Sequence, residues 1–221
     1  MELRVKKLKS ITGKTYMLHF KSRAKLVRFG ILISVSALFL SIAGLLIIIT
    51  NRHTRSNKYN ALIIKYARHY SIDPNLIKAV IWKESNFAAG REGAKGEIGL
   101  MQIIPSASVR DWATYNKRHV PPSGLLFFPD INIDIGTWYL AKCMSRWIKY
   151  KDSTALALAE YNAGYTNAKK WAPKNMNDDV INMIKFPSTK DYVVAILRQY
   201  EEYKFSKDSL KVEQQVPLTF K

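Results

Sequence analysis

A run of 22 uncharged residues near the N-terminus constrains the fold of this chain most. Residues 29–50 read FGILISVSALFLSIAGLLIIIT. About 20 apolar residues are enough for a helix to cross a hydrocarbon core roughly 30 Å thick. A core helix of this length normally keeps a polar stripe. A cleaved signal peptide has a shorter apolar region, of about 7–15 residues, that ends in a small-residue cleavage site. The run therefore predicts an uncleaved transmembrane anchor over residues 29–50.

The flanks of this segment predict its orientation. Nine Lys or Arg side chains precede the segment, and only Arg52, Arg55 and Lys58 follow it closely. Positively charged flanks stay in the cytoplasm. We therefore expect residues 1–28 to form a basic cytoplasmic arm and the rest of the chain, after the single span, to lie outside the membrane.

The charge of the chain is strongly positive but unevenly spread. Its 221 residues carry a formal charge of +18. Residues 1–58 hold 12 Lys/Arg against one acid, a net +11, which leaves 23 against 16, a net +7, for the rest. Basic surfaces attract nucleic acid, anionic lipid and the anionic bacterial wall alike. Because topology and lipid headgroups account for the arm, the charge predicts no nucleic-acid partner.

Cysteine and histidine usage argues against redox and metal chemistry. Cys143 is the single cysteine and lies in an apolar helical pattern, so it is interpreted as a buried structural residue. The sequence has no His-x-x-x-His pair and no Cys/His cluster with ligand spacing. We predict neither a metal nor another cofactor.

After a short polar tether at residues 51–58, the pattern is helical throughout. Apolar spacing and cap residues predict helices over about 61–70, 74–85, 106–115, 130–150, 153–161 and 189–204. The fold class is therefore all-α, with one domain over residues 59–205 and a polar C-terminal tail over 206–221.

One predicted helix carries a carboxylic acid on its apolar face. Ile77, Val80, Ile81 and Glu84 follow one another at helical spacing between residues 74 and 85. Burial of a carboxylate disfavours its charged form and raises its pKa. Glu84 is therefore a candidate general acid, although a glutamate that simply reaches water or pairs with Lys83 or Arg91 is also compatible with this helix alone.

Five segments in order give Glu84 a context. They read Ile81-Trp-Lys-Glu-Ser-Asn-Phe87, Gly99-Leu-Met-Gln102, the stretch from Phe128 to Leu140, Ala159-Glu-Tyr-Asn-Ala-Gly164 and the stretch from Phe186 to Val193. Together they resemble the soluble lytic transglycosylase family, whose catalytic domain has a lysozyme-like fold related to goose-type lysozyme. The resemblance covers about residues 60–204.

The resemblance implies a function and a site. The implied enzyme is a bacterial peptidoglycan lytic transglycosylase. Together with the predicted anchor and its orientation, this places the enzyme in the cytoplasmic (inner) membrane with its catalytic domain in the periplasm. Its implied reaction is cleavage of the MurNAc–GlcNAc β-1,4 bond with formation of 1,6-anhydro-MurNAc. Glu84 matches the single catalytic acid, and the matched substrate-binding residues are Ser85, Met101, Gln102, Tyr161 and Asn162. Asn132, Gly136 and Tyr139 are interpreted as scaffold.

Two departures keep alternatives open. Ser188 stands where relatives often carry a glutamate, so a supporting carboxylate is absent there. Glu97 stands where many relatives have a small residue, and is either a groove contact or a surface acid. A goose-type muramidase would need a second acid, with Glu97 or Asp111 as candidates, and a non-catalytic wall-binding scaffold is the other alternative.

Overall fold

The computed structural model describes residue 28, residues 31–48, residue 50, residues 54–206 and residues 209–211. The predictions for the basic arm before residue 28, and for most of the tail, fall outside these described residues. The chain divides into two compact units, residues 1–54 and residues 55–221.

The described residues of the first unit are all helical, and their continuous stretch, called α1, is Ile31–Ile48. None of it is buried, and its large apolar side chains are exposed. Its length and composition are sufficient for a helix that crosses a membrane.

The second unit is helical, which confirms the predicted all-α class. Its helices are α2 (Asn60–Tyr70), α3 (Pro74–Ser85), α4 (Arg110–Tyr115), α5 (Pro129–Arg146), α6 (Ser153–Ala163), α7 (Tyr165–Trp171) and α8 (Pro187–Phe205). Short 3-10 turns lie at Ser123–Phe127 and Ile181–Met183, and a π-turn lies at Pro105–Val109. Among the described residues, extended pairing is limited to two isolated bridges, Glu92 with Ile98 and Ile98 with Ile103.

Helix α3 begins where local chemistry predicts. The Asp73 side chain accepts a hydrogen bond from the backbone N–H of Asn75 at 2.8 Å, and Pro74 occupies the first helical position. The helix ends at Asn86, which adopts the left-handed conformation with φ 48°. Its apolar residues, including Ile77, are buried, and α3 packs against α8. This packing places the C-terminal end of α3 beside the last helix.

Three elements differ from the sequence prediction. The first part of the helix predicted over residues 106–115 is the π-turn at Pro105–Val109, and the α-helix begins only at Arg110. α5 ends at Arg146 rather than near residue 150, because Trp147 leaves the helical conformation and turns towards α6. α7 was not predicted. Its seven residues are too few for a periodic pattern, and burial of Ala168 and Trp171 holds it in place.

Helix α5 holds the loop that follows α3. The fully buried Asn132 accepts from the Met101 N–H at 2.8 Å and donates to the carbonyls of Ile98 and Leu126 at 2.9 and 2.7 Å. A side chain at Gly99 would lie 2.2 Å from the Asn132 amide nitrogen, so only glycine allows this approach. Asn132 is thus a scaffold residue, as its sequence context predicts.

Other buried groups complete the scaffold. Cys143 is fully buried in the core, as predicted, and burial raises the pKa of its thiol to about 12. The C-terminal segment is held rather than free at Leu210, whose backbone N–H and C=O bond the Asn75 side chain at 2.9 and 3.0 Å.

Candidate active site

Glu84 lies in the last turn of α3, at the end of the buried apolar stripe. Its side chain is half-buried. Burial is the main reason that its pKa is raised from 4.5 to about 7. A carboxyl group with this pKa keeps a large protonated fraction near neutral pH and can act as either acid or base.

Tyr192 on α8 contacts this carboxyl group directly. Its hydroxyl donates to Oε1 of Glu84 at 2.5 Å, and its side chain is only 5% exposed. This hydrogen bond favours the charged carboxylate and partly opposes the effect of burial on the Glu84 pKa. Sequence reasoning missed this role. The available signal was the position of Tyr192 on the buried face of a helix, within one of the five matched segments.

Three charged side chains surround Glu84 at longer range. Arg91 and Lys83 lower the pKa of Glu84, and Glu97 raises it. Glu97 is itself held in the loop, because its Oε2 accepts from the Lys95 N–H at 2.7 Å. Of the two candidate second acids, Glu97 therefore lies within electrostatic reach of Glu84. Asp111 instead forms an ion pair with Lys142 at 2.7 Å.

This arrangement predicts opposite effects for two conservative changes. Glu97→Gln removes a negative charge, so we expect the pKa of Glu84 to fall. Arg91→Gln removes a positive charge, so we expect that pKa to rise. Titration of a labelled Glu84 carboxyl carbon by NMR measures both shifts, and Glu201→Gln on the exposed face of α8 serves as a control. A shift of the Glu84 pKa in the same direction in both variants would contradict this electrostatic explanation.

Gln102 closes the loop that faces the end of α3. Its amide nitrogen donates to the carbonyls of Gly99 at 2.9 Å and Arg91 at 3.1 Å. Its backbone adopts a left-handed conformation with φ 48°, and its side chain is half-exposed. The amide therefore ties the two ends of the loop together while its surface remains accessible.

Tyr161 at the end of α6 brings a hydroxyl group to the same region. This hydroxyl donates to the Met101 carbonyl at 2.8 Å. Burial, followed by the nearby charge of Glu84, raises the pKa of Tyr161 well above its usual value. The phenol is therefore a neutral hydrogen-bonding group that lies beside the carboxyl group of Glu84.

Asn162 is held by α8. Its side-chain oxygen accepts from the buried Thr189 hydroxyl at 2.8 Å. Ser188, where the family resemblance leads us to expect a carboxylate, is exposed. The neighbouring Thr189 orients Asn162 through its hydroxyl group.

Two predicted substrate-binding residues, Ser85 and Met101, have buried side chains. Ser85 is 2% exposed, and its hydroxyl donates to the Ile81 carbonyl at 3.1 Å. The Met101 side chain is fully buried against α5, where a side chain at Gly136 would lie 2.5 Å from its sulfur. Neither side chain reaches a surface that a glycan could contact. Ser85 bonds within the last two turns of α3, and Met101 packs the loop against α5.

A buried ion pair supports the segment around Tyr161. The Glu160 carboxylate, 1% exposed, accepts from the Arg146 guanidinium and from the Trp147 ring nitrogen, the latter at 2.7 Å. Arg146 and Trp147 lie at the end of α5, so this pair fastens α6 to α5. Sequence reasoning did not assign Glu160 a role, although it precedes Tyr161 in a matched segment.

Comparison with known proteins identifies the class. The Transglycosylase SLT domain family matches residues 61–184, more than half of the chain. The chain therefore belongs to this family, and both the predicted membership and the predicted enzyme class, a lytic transglycosylase, are confirmed.

Individual relatives agree with this assignment. Membrane-bound lytic murein transglycosylase E of Buchnera aphidicola is 29% identical over 150 residues, 66% of this chain and 67% of that protein. Membrane-bound lytic murein transglycosylase C of Salmonella arizonae is 34% identical over 88 residues, 39% of this chain but only 24% of the relative. This chain thus spans about two thirds of the first relative and a quarter of the second.

A solved structure confirms the lysozyme-like fold. Lytic transglycosylase Slt from Pseudomonas aeruginosa, solved as an inactive Glu-to-Gln mutant, superposes with a TM-score of 0.62. It is 25% identical, and the match covers 70% of this chain and 25% of that one.

Proposed function

We propose that this chain is a membrane-anchored lytic transglycosylase that cleaves the MurNAc–GlcNAc β-1,4 bond of peptidoglycan and leaves a 1,6-anhydro-MurNAc end. Glu84 acts as its single acid and base. The observation that carries this proposal is the Glu84 carboxyl group, with a pKa of about 7 and a hydrogen bond from Tyr192. Relatives named murein transglycosylases support the substrate.

In the first half of the reaction, Glu84 acts as an acid. The protonated carboxyl group donates to the glycosidic oxygen, and the bond between that oxygen and C1 of MurNAc breaks. The 2-acetamido group of the same MurNAc stabilises the positive charge that develops at C1. GlcNAc leaves with the proton from Glu84 on its new hydroxyl group.

In the second half, Glu84 acts as a base. Its carboxylate takes the proton from the C6 hydroxyl of MurNAc, and O6 forms a bond to C1. The anhydro ring closes, Glu84 is again protonated, and no water is consumed. One carboxyl group is sufficient because the substrate supplies the nucleophile, whereas hydrolases of this bond use a pair of carboxylates.

The surrounding residues have distinct roles in this proposal. Tyr192 orients the Glu84 carboxyl group. Tyr161 and Asn162 contact the sugar next to that carboxyl group. Gln102 presents a polar surface from the loop. Ser85 and Met101, which sequence analysis predicted as substrate contacts, are proposed to act as positioning residues because their side chains are buried. The mechanism needs no metal ion.

Product analysis tests the reaction directly. The full-length chain, purified in detergent, is incubated with peptidoglycan, and the released muropeptides are analysed by mass spectrometry. Anhydro-MurNAc ends are the expected product. Reducing MurNAc ends would instead identify a muramidase with Glu97 as its second acid, and no release from a folded preparation would favour the wall-binding scaffold.

Tyr192→Phe is expected to lower turnover by about tenfold or more, since hydrogen bonds to charged groups contribute roughly 1.5–3 kcal/mol. Loss of the bond also raises the Glu84 pKa, so the decline of kcat/KM at alkaline pH should move to higher pH. A pH–rate profile separates this result from simple misfolding. An unchanged profile would contradict the positioning role.

The membrane placement is also a proposal. α1 would anchor the chain as a single span, with the basic arm of residues 1–28 in the cytoplasm and the domain of residues 59–205 outside. The predicted tether over residues 51–58 spans at most about 3.6 Å per residue, and residues 54–57 are helical and therefore shorter still, so the domain stays close to the bilayer. Digestion of the domain by protease added to spheroplasts, but not to intact cells, is the expected result. Protection of the domain from protease in spheroplasts would contradict this orientation.

A further inference from the structure

A cleft in the helical domain lies apart from the residues around Glu84. It has a volume of about 770 Å³, within the range of about 300–1,000 Å³ that is typical of ligand sites. Residues from the end of α2, from α4 and from α5 line it, and Glu84 is not among them. No residue that we propose to act in catalysis lines this cleft.

Aromatic rings give the cleft a surface suited to sugars. Tyr115 is 74% exposed, and its ring lies 5.5 Å from the ring of Trp138, which is buried beneath it. Thr114, Asn116 and Ser145 add hydroxyl and amide groups to the lining. An exposed ring beside hydroxyl and amide groups can pack on the apolar face of a pyranose while its hydroxyls are hydrogen-bonded.

The charge of the cleft favours an anionic ligand. Arg110 and Lys142 line it, and Asp111 is the single acid among the described residues that do so. The ion pair with Lys142 at 2.7 Å compensates that acid. Arg110 is exposed and makes no ion pair within the described part of the chain. A carboxylate therefore complements the cleft better than a neutral sugar alone.

Helix α5 connects the cleft with the catalytic region. Trp138 faces the cleft, and the next residue, Tyr139, places its ring 5.4 Å from the ring of Tyr161. Tyr161 in turn lies within electrostatic reach of Glu84. The two sites are therefore joined by one rigid helix and a contact between two rings.

We propose that this cleft binds a carboxylate-bearing stretch of peptidoglycan glycan that is not being cut, and so holds the enzyme on its substrate between cleavage events. Tyr115 packs on a sugar ring, and Arg110 binds the carboxylate of the lactyl-peptide substituent. This inference rests on the proposed function, because it takes the same polymer as the ligand.

Binding to insoluble peptidoglycan tests the proposal. The full-length Glu84→Gln chain in detergent, which should not cut the polymer, is sedimented with purified sacculi at several concentrations. Adding Tyr115→Ala to this chain is expected to weaken binding by about three- to tenfold, the scale of one aromatic contact. Phe205→Ala, which removes an aromatic side chain 84% exposed elsewhere, is the matched control and should leave binding unchanged.

A charge variant tests the proposed contact between Arg110 and a carboxylate of the ligand. Arg110→Gln should weaken binding to MurNAc-containing strands that carry peptide substituents but leave binding to chitin oligosaccharides, which lack the peptide carboxylates, unchanged. Equal binding of the Tyr115 variant and its parent, with matching circular dichroism, would overturn the cleft as a glycan site. An equal effect of Arg110→Gln on both ligands would overturn the carboxylate contact. Failure of the unsubstituted chain to release anhydro ends would instead defeat the proposed function itself.

Discussion

Glu84→Gln is expected to lower the rate of muropeptide release by about 10²- to 10⁴-fold, the usual contribution of a general acid or base. The amide has nearly the shape of the carboxylic acid and can still accept the Tyr192 hydrogen bond, but it can neither donate a proton to the glycosidic oxygen nor take one from O6. The fold should therefore survive while both halves of the reaction fail. Quantitative mass spectrometry of anhydro ends measures the loss.

Glu84→Gln is also expected to change how the free energy of unfolding depends on pH. The pKa of Glu84 is raised from 4.5 to about 7, so the folded chain binds this proton more tightly than the unfolded chain does. The resulting stabilisation is complete below pH 4.5 and is lost as the pH rises to about 7. At about 1.4 kcal/mol for each pH unit, the unsubstituted chain should be about 3 kcal/mol less stable than Glu84→Gln above pH 7. Both should be equally stable near pH 4.

Glu201→Gln provides the control for this pair of measurements. Glu201 is an exposed acid on α8 that pairs with Lys204 at 3.2 Å. Its replacement should change neither activity nor the pH dependence of unfolding. Activity of Glu84→Gln close to that of the unsubstituted chain would remove Glu84 from the mechanism.

Arg146→Met is expected to destabilise the second unit by about 3 kcal/mol or more. The Glu160 carboxylate is 1% exposed, and loss of its guanidinium partner leaves a buried charge that the Trp147 ring nitrogen alone cannot compensate. Removal of one partner of a buried pair typically costs about 3–5 kcal/mol. Because 32% of the Arg146 side chain remains in contact with water, we expect a destabilisation at the lower end of this range. Chemical denaturation at neutral pH measures the difference.

Two further variants separate this explanation from a general loss of charge. Lys65→Met breaks the ion pair with Asp130. Because the side chains of Lys65 and Asp130 are 56% and 55% exposed, the loss of stability should be no more than about 1 kcal/mol. Glu160→Gln in the Arg146→Met chain removes the uncompensated charge and should restore part of the stability. Equal costs for the exposed and buried pairs would contradict the importance of burial.

Local patterns in the sequence were sufficient for most of the helices, whereas the choice of Glu84 also needed the resemblance of five ordered segments to a known family. Capping by Asp73, the proline at position 74 and the apolar spacing from Ile77 to Ile81 all act within a few residues, so α3 could be predicted to the residue. The buried Cys143 and the scaffold role of Asn132 also followed from their positions in apolar or matched segments. The same local information could not detect α7, which is stabilised by burial of Trp171 rather than by its own periodicity.

The direction in which a side chain points was decided by tertiary structure. Ser85 and Met101 lie in matched segments beside predicted site residues, but both are buried. Met101 turns inward because Gly136 leaves room for its side chain. A motif gives the order of residues along the chain, whereas access to a ligand depends on which neighbouring elements cover each side chain.

The sequence by itself therefore determined a 22-residue apolar segment, an all-α domain and a carboxylic acid at the end of a buried helical stripe. Only the tertiary structure decided the chemistry of that acid. Tyr192 follows Glu84 by 108 residues and reaches it because α3 packs against α8. The raised pKa results mainly from burial by segments remote in the chain, since desolvation depends on everything that excludes water from the carboxyl group.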